Sequence, residues 1–121
     1  CIRDRYILSG GNSQVVLCER GIRTFEQFTR FTLDVAAVPV IRKLSPIPKI
    51  VDPSHGTGSR DLVGPMALAG IAAGALGVII DVHPNPSVAK CDAAQALTFE
   101  NFRDLTVQLD AVGKALQEFS K

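Results

Sequence analysis

The stretch KIVDPSHGTGSRDLVGPMALAGIAAGALGVIIDVHP, residues 49–84, decides the fold of this chain. It begins with a short apolar segment at residues 49–52 (KIVD) and, after a loop rich in small polar residues, continues into an alanine-rich segment at 61–75. A second apolar segment, VIIDV at 78–82, follows Gly77. Strand, loop, helix and strand in this order are typical of a parallel βαβ unit with a right-handed crossover. The stretch therefore predicts an α/β fold.

The same alternation extends toward the N-terminus. Residues 3–8 predict the end of a helix, which the SGGN cluster at 9–12 would stop. Residues 14–18 (QVVLC) are short, β-branched and apolar on both faces, as expected for a parallel strand covered by helices.

Residues 25–44 are amphipathic enough to predict a helix in at least their second half. One face of this helix would carry Leu33, Ala36, Ala37 and Val40. Pro39 complicates the prediction, because an internal proline usually kinks or ends a helix.

The C-terminal segment predicts the clearest helix of the chain, and Thr98 is available to cap its start. Its apolar residues recur at alternating steps of three and four, which places them on a single stripe. They are Phe102, Leu105, Leu109, Val112, Leu116 and Phe119. Three strands with their helices leave sheet edges and one apolar face uncovered. We infer that other chain segments complete the domain.

Composition indicates a globular protein without a strongly charged surface. The 121 residues include 13 Lys+Arg and 12 Asp+Glu, and this balance argues against nucleic acid as a partner. Cys1, Cys18 and Cys91 form an odd, widely spaced set without a CxxC pair, which favours a reducing compartment. Residues 1–10 carry charges where a signal peptide needs an apolar run. A cytoplasmic location is therefore predicted.

The uncharged stretch at residues 62–80 is the one segment that approaches the length of about 20 residues needed to span a membrane. Pro65 and several glycines interrupt it, and it runs directly into Asp81 and His83. We interpret it as a buried helix followed by a turn and a buried strand, and we expect no membrane association.

Polar residues follow each predicted strand, where the catalytic groups of α/β barrels are found. Asp81 and His83 share one face of the third strand, because side chains alternate and Val82 points the other way. His55 would approach from the neighbouring strand, and Asp92 could reach the same point. Imidazole and carboxylates suit a divalent metal such as Mn, Fe, Co or Zn. The alternative is that Asp81 and His83 only hydrogen-bond loop backbone.

Arg20 lies on the same face of the first strand as Cys18. A guanidinium group binds phosphate or carboxylate through paired, charge-assisted hydrogen bonds. An ion pair with Glu19 or Glu26 is an equally good interpretation from composition alone.

The segment GTGSR, residues 56–60, leads into the N-terminus of the predicted helix at 61–75. Free backbone amides there could hold an anion. The glycines could equally serve only a tight turn.

Together these segments form long motifs in a fixed order. The runs are LCERGIRTFE (17–26), DPSHGTGSRDLVGPMALAGIAAGA (52–75), VHPNP (82–86) and CDAAQALTFENF (91–102). In order and spacing the chain, from about residue 6 onward, resembles the 3-deoxy-D-arabino-heptulosonate-7-phosphate (DAHP) synthase family, in the type without long insertions. The resemblance implies that residues 1–121 are a partial TIM-barrel domain, with the last three βα units of a (β/α)8 barrel.

The resemblance also implies a function. Enzymes of this family condense phosphoenolpyruvate with erythrose 4-phosphate, releasing phosphate, at the entry to the shikimate pathway of aromatic amino-acid biosynthesis. They require a divalent metal ion, and the complete protein would be a homo-oligomer. By the same resemblance His55 and Asp92 match metal ligands, and Arg20 matches the arginine that holds the phosphate of phosphoenolpyruvate.

Two positions depart from the family pattern. Asp81 stands where the family has the glutamate ligand of an EVHP run, and its shorter side chain would retract the carboxylate by about 1.5 Å, one C–C bond. We expect weaker or water-bridged metal contact there. Phe31 replaces an asparagine that is usual in the family, so a local polar contact is expected to be lost.

Other parts of the family's site lie on earlier strands than those present here. They are a metal-binding cysteine, a KPRTS loop for the aldose phosphate and a lysine for phosphoenolpyruvate. Cys18 is predicted to be a small core residue and not a substitute ligand. The 121 residues alone are therefore not expected to catalyse the reaction.

Two alternatives to this interpretation are open. The 3-deoxy-D-manno-octulosonate-8-phosphate synthase family also condenses phosphoenolpyruvate with a phosphorylated aldose and shares an HPNP-like turn, although the GIRTFE run favours DAHP synthase. The second alternative is a non-catalytic remnant that binds only phosphate or metal.

Overall fold

A computed structural model describes residues 2–118 of the chain. Its elements, in chain order, are α1 (Ile2–Ser9), β1 (Leu17–Glu19), α2 (Ala37–Leu44), β2 (Lys49–Val51), α3 (Pro53–Thr57), α4 (Arg60–Ala72), β3 (Gly77–Val78), a 3₁₀ helix (Pro86–Val88) and α5 (Phe99–Glu118).

The three strands form one parallel sheet in the order β1-β2-β3. Val51 in the central strand is fully buried and packs with Val38 of α2 and with Ala75. Gly70 lets α4 approach β2 closely, because a Cβ there would lie 2.4 Å from a methyl group of Val51. The predicted α/β fold, with a parallel sheet, is confirmed.

A second apolar cluster joins α4 to α5. Val63 and Ala67 of α4 are completely buried against Leu97 and Leu105. The cluster fixes the C-terminal helix against the layer that covers the sheet, and so holds the chain segment that precedes α5.

The first strand is shorter than predicted and displaced toward the C-terminus. Only Leu17–Glu19 pairs with β2, whereas the prediction covered residues 14–18. Pairing begins where the Leu17 amide donates to the Pro48 carbonyl, at 2.8 Å. Among the described residues β1 lies at an edge of the sheet and Cys18 is exposed, so Cys18 is not part of the core that these residues form.

The helix predicted within residues 25–44 is confined to Ala37–Leu44. Pro39 lies within its first turn, where the missing amide hydrogen costs no intrahelical bond. Val38 is the buried residue of α2, and Val40 is exposed. The apolar face proposed from the sequence is therefore wrong, since part of it precedes the helix.

The third strand is also shorter than the predicted 78–82. Beyond Gly77–Val78 the sheet partner is lost, because the chain after Val51 turns into α3. The Ile79 amide still donates to the Val51 carbonyl at 2.9 Å, and Val82 then forms a parallel bridge with Leu97.

The predictions for the two terminal helices are confirmed. Helix α1 ends at Ser9, within the glycine-containing cluster. Thr98 caps α5, since its Oγ1 accepts a hydrogen bond from the Asn101 amide at 3.1 Å. Leu105 of the apolar stripe is buried, and Leu109 packs against the same cluster. Phe119, the last residue of the predicted stripe, lies outside the described residues.

The uncharged stretch at 62–80 forms most of α4 and then β3, as the sequence predicts. Within residues 2–118 no helix combines the length and the apolar character needed to cross a membrane.

Candidate metal centre

Three predicted ligands converge at the C-terminal end of the sheet. His55 lies in α3 directly after β2, Asp81 follows β3, and Asp92 lies in the loop before α5. One ligand atom from each lies within 4.8 Å of the others. His55 Nδ1 is 3.5 Å from Asp81 Oδ2, and His55 Nε2 is 3.8 Å from Asp92 Oδ2. All three side chains are partly buried, so each remains partly accessible to solvent.

The donor set fits a divalent transition metal. One imidazole and two carboxylates suit Mn, Fe, Co or Zn. Two atoms that bind one ion at about 2.0–2.2 Å lie at most about 4.4 Å apart, close to the spread in this cluster. Small side-chain movements would therefore bring His55, Asp81 and Asp92 into bonding range.

Gln95 orients the carboxylate of Asp81. Gln95 is buried, and its Nε2 donates to Asp81 Oδ2 at 2.8 Å. The Asp81 amide donates to Ser54 Oγ at 3.0 Å, and this bond joins the segment after β3 to α3, which follows β2. Asp81 thus reaches the cluster in spite of its short side chain, and its carboxylate is bonded by a side chain and not by loop backbone.

His83 does not join the cluster formed within residues 2–118. Its Nδ1 accepts a hydrogen bond from the Asn85 amide at 3.0 Å, and its own amide donates to the Leu97 carbonyl at 2.9 Å. The backbone-bonding alternative considered for Asp81 and His83 therefore holds for His83.

Asp92 is held in an unusual backbone conformation by the loop around it. Its φ of 54° is in the left-handed region, and its carbonyl accepts from the Ala96 amide at 3.0 Å. Arg60 braces this loop, with Nε donating to Ala96 O at 2.6 Å and Nη2 donating to Ala93 O at 2.8 Å. Arg30 Nη1 lies 3.6 Å from Asp92 Oδ1.

Sequence reasoning did not identify Arg60 and Arg30 as supports of the Asp92 loop. The contacts of Arg60 join residues far apart in the chain. Its position at the start of α4, next to the glycine-containing turn, was the only local signal.

Asp52 places His55 by capping α3. Its Oδ1 accepts a hydrogen bond from the His55 amide at 2.9 Å, and Pro53 occupies the first helical position, where a proline is well tolerated. Gly58 ends the helix with φ 68°, a conformation that favours glycine. The order Asp-Pro-x-His was the available sequence signal for Asp52, which sequence reasoning did not single out.

Arg20 contacts Asp52 and not the partners expected for an ion pair. Its Nη1 donates to Asp52 Oδ2, and the carboxylate is buried while the Arg20 side chain is 56% exposed. Glu19 instead accepts from the Gly21 amide at 2.9 Å.

Glu26 also bonds to nearby backbone. The amides of Phe28 and Gln27 donate to its carboxylate, and these hydrogen bonds lower the pKa of Glu26.

The structure favours a tight turn for the GTGSR segment. The Arg60 amide at the start of α4 donates to the Ala94 carbonyl at 3.0 Å, so this donor is already used. A Cβ on Gly58 would lie 2.7 Å from Arg30 Cβ, which adds a steric reason for glycine.

Phe31, which departs from the family pattern, contacts cations. The guanidinium carbons of Arg23 and Arg30 lie 5.4 Å and 5.5 Å from the centre of its ring. The Phe31 amide donates to the Gly56 carbonyl at 3.0 Å. The aromatic ring thus helps to place Arg30 beside Asp92.

Known proteins resemble this chain in sequence and structure. The family model of the DAHP synthetase I family matches residues 2–118. The phospho-2-dehydro-3-deoxyheptonate aldolase of Thermotoga maritima is 53% identical over 111 residues, which are 92% of this chain and 33% of that protein. Its crystal structure superposes with a TM-score of 0.93 at 51% identity, covering 95% of this chain and 34% of the other.

A second group of relatives is more distant. The 2-dehydro-3-deoxyphosphooctonate aldolase of Haemophilus ducreyi is 30% identical over 127 residues, covering 95% of this chain and 44% of that protein. The chain spans a third to just under a half of the length of these relatives. The match of the family model over nearly all of its residues shows that the chain belongs to the DAHP synthetase I family.

Proposed function

We propose that the natural protein containing this chain condenses phosphoenolpyruvate with erythrose 4-phosphate and releases phosphate, the first step of aromatic amino-acid biosynthesis. We further propose that residues 1–121 form the last three βα units of a (β/α)8 barrel. The 53% identity to the Thermotoga enzyme and the TM-score of 0.93 support both proposals.

The convergence of His55, Asp81 and Asp92 is the observation that carries the proposal. His55 comes from α3 and the two aspartates from two loops, all at one end of a parallel sheet, which is where α/β barrels place their catalytic groups. When bound there, a divalent ion would supply Lewis-acid polarisation of a substrate aldehyde.

Arg20 is proposed to bind the phosphate of phosphoenolpyruvate. Its guanidinium group carries five N–H donors, and more than half of the side chain is exposed. Asp52 anchors one terminal nitrogen, Nη1, from the buried side. The guanidinium group is thus held at Asp52 while more than half of the Arg20 side chain stays exposed.

A cytoplasmic location and a homo-oligomeric parent protein belong to the same proposal. Cys18 and Cys91 are free thiols, which agrees with a reducing compartment. Phosphoenolpyruvate, erythrose 4-phosphate and the metal ion are the proposed ligands of the complete protein, with no nucleic acid or membrane partner.

The test uses the natural polypeptide at its full length. We expect it to release phosphate from phosphoenolpyruvate when erythrose 4-phosphate and Mn²⁺ are present, and to lose this activity on treatment with a chelator. An eight-carbon product would instead require a five-carbon aldose phosphate such as arabinose 5-phosphate. Activity only with that aldose would support the octulosonate alternative, and no phosphate release with either would support the non-catalytic remnant.

A further inference from the structure

Asp52 is a buried carboxylate that contacts two proposed functional residues at once. Only 1% of its side chain is exposed. Its Oδ2 accepts from Arg20 Nη1, and the same oxygen lies 3.0 Å from His55 Nδ1. Its Oδ1 lies 3.2 Å from His55 Nδ1 and accepts from the His55 amide. Both oxygens are therefore engaged by groups of the site.

The contact with His55 Nδ1 determines which ring nitrogen is available to a metal ion. A neutral imidazole carries its proton on one nitrogen, and a carboxylate beside Nδ1 favours the proton there. Asp81 Oδ2 lies 3.5 Å from the same Nδ1, so this second carboxylate also favours the proton on that nitrogen. The lone pair of Nε2 is then free for a metal ion, and Nε2 lies 3.8 Å from Asp92 Oδ2. A carboxylate that accepts the other ring N–H is the usual support of a metal-binding histidine.

The contact with Arg20 concerns the proposed binding of phosphoenolpyruvate. Because the carboxylate is buried and the arginine is partly exposed, Asp52 fixes one end of the guanidinium group and leaves the other end toward solvent. The negative charge of Asp52 thus lies between Arg20, which is proposed to bind an anionic substrate, and His55, which is proposed to bind a metal ion.

We propose that Asp52 is a positioning residue that couples the metal-binding histidine to the phosphate-binding arginine. The inference rests on the proposed function, since it assigns those roles to His55 and Arg20. It predicts that loss of the Asp52 carboxylate weakens binding of Mn²⁺ and of phosphoenolpyruvate together, although Asp52 touches neither.

The substitution Asp52→Asn separates positioning from helix capping. Asparagine caps helices about as well as aspartate, so the amide of His55 keeps an acceptor. With its only oxygen at the position of Oδ1, the asparagine presents an NH₂ group in place of Oδ2, the oxygen that accepts from Arg20 Nη1 and lies 3.0 Å from His55 Nδ1. The contact with Arg20 is therefore lost and the contact with His55 Nδ1 is weakened, while α3 is retained.

Thr57→Val is the matched control. Thr57 is a buried residue of the same helix, and its hydroxyl donates to the Pro53 carbonyl at 2.8 Å. The substitution removes the hydrogen bonds of this hydroxyl with the Pro53 carbonyl and with the Ser59 backbone, and none of these bonds involves Arg20 or His55. It reports what a purely structural defect in this helix does to binding.

The experiment titrates the full-length natural protein with Mn²⁺ and follows the free ion by electron paramagnetic resonance. We expect Asp52→Asn to weaken Mn²⁺ binding by about 10- to 100-fold, the usual cost of removing such a support. We also expect a rise in the KM for phosphoenolpyruvate, and we expect Thr57→Val to match the wild type in both. Equal Mn²⁺ affinity in Asp52→Asn and wild type would overturn the positioning role.

A measurement on the wild-type protein covers the case in which Asp52→Asn does not fold. Nitrogen-15 NMR of the histidine rings, assigned with His55→Gln, is expected to show His55 protonated on Nδ1 before metal is added. A proton on Nε2 would overturn the inference. Failure of the wild type to bind Mn²⁺ at all would instead overturn the proposed function, so the two failures are distinguishable.

Discussion

The loops after the first two strands differ in how they are held. The β2 loop (residues 52–59) contains three nearly inaccessible side chains, Asp52, Ser54 and Thr57, which bond to groups within a few residues or across the site. The β1 loop (residues 20–36) exposes Phe25 and Phe28 almost completely. The β2 loop is thus a preorganised support, whereas the β1 loop is shaped by its neighbours.

Backbone contacts show what shapes the β1 loop. The amides of Arg30 and Phe31 donate to the carbonyls of Thr57 and Gly56, at 2.9 Å and 3.0 Å. The β1 loop therefore lies against the β2 loop, and the position of Arg30 beside Asp92 depends on that contact.

The largest effect is expected from His55→Gln, which removes the imidazole from the β2 loop. Because loss of a supporting residue alone costs about 10- to 100-fold in metal affinity, loss of the ligand is expected to weaken Mn²⁺ binding by more than about 100-fold. Isothermal titration calorimetry of the full-length protein checks this. His83→Gln is the control, since His83 lies outside the cluster, and an equal loss in both variants would contradict the assignment.

A moderate loss of stability is expected from Gly56→Ala, at the contact between the two loops. The added Cβ would lie 2.8 Å from Leu33 Cδ1 and 3.3 Å from Leu33 Cβ. Such overpacking costs about 1–3 kcal/mol in the free energy of unfolding, measured by urea denaturation.

Gly113→Ala is the matched control for that substitution. A Cβ at Gly113 meets nothing within 4 Å, and the residue lies inside α5. Alanine there is expected to raise the free energy of unfolding by about 0.5–1 kcal/mol. A loss of stability at Gly113 as large as that at Gly56 would show that the Leu33 contact does not determine the result.

A smaller effect concerns Cys18, at the start of the β1 loop. Partial burial of its sulfur raises the pKa of the thiol, and the Asp52 carboxylate acts in the same direction. Since the thiolate is the reactive form, alkylation by iodoacetamide at neutral pH is expected to be slower than that of an unstructured peptide with the same sequence. The rate should rise as pH increases above the usual thiol pKa, and a rate equal to the peptide's at every pH would contradict the shift.

The smallest effect is expected from Phe28→Ser in the β1 loop. Phe28 is 95% exposed, so the change in the free energy of unfolding should stay within about 0.5 kcal/mol. A larger loss in the full-length protein would show that another surface covers this residue.

The α/β pattern and the convergence of His55, Asp81 and Asp92 could be predicted from the order of strands and loops along the chain. Apolar segments between polar loops identified the strands, and parallel strands bring His55, Asp81 and Asp92 to one end of the sheet. The cap by Thr98 could also be predicted, since it bonds to Asn101 within one helical turn.

What could not be predicted depends on contacts between distant residues. The amphipathic pattern at residues 25–44 predicted a helix in at least the second half, which Ala37–Leu44 confirms, but it did not indicate that the amides of Arg30 and Phe31 bond to Thr57 and Gly56. For Arg20 the sequence left open anion binding or an ion pair with Glu19 or Glu26, and its partner in the structure is Asp52 on the neighbouring strand end. In both cases the hydrogen bonds join residues far apart in the chain.

The most direct test is a crystal structure of the full-length protein soaked with Zn²⁺ or Co²⁺, with anomalous scattering recorded at the metal edge. We expect one peak, with a His55 nitrogen and oxygens of Asp81 and Asp92 at about 2.0–2.2 Å. A peak bound elsewhere, or none near these three residues, would contradict the metal site.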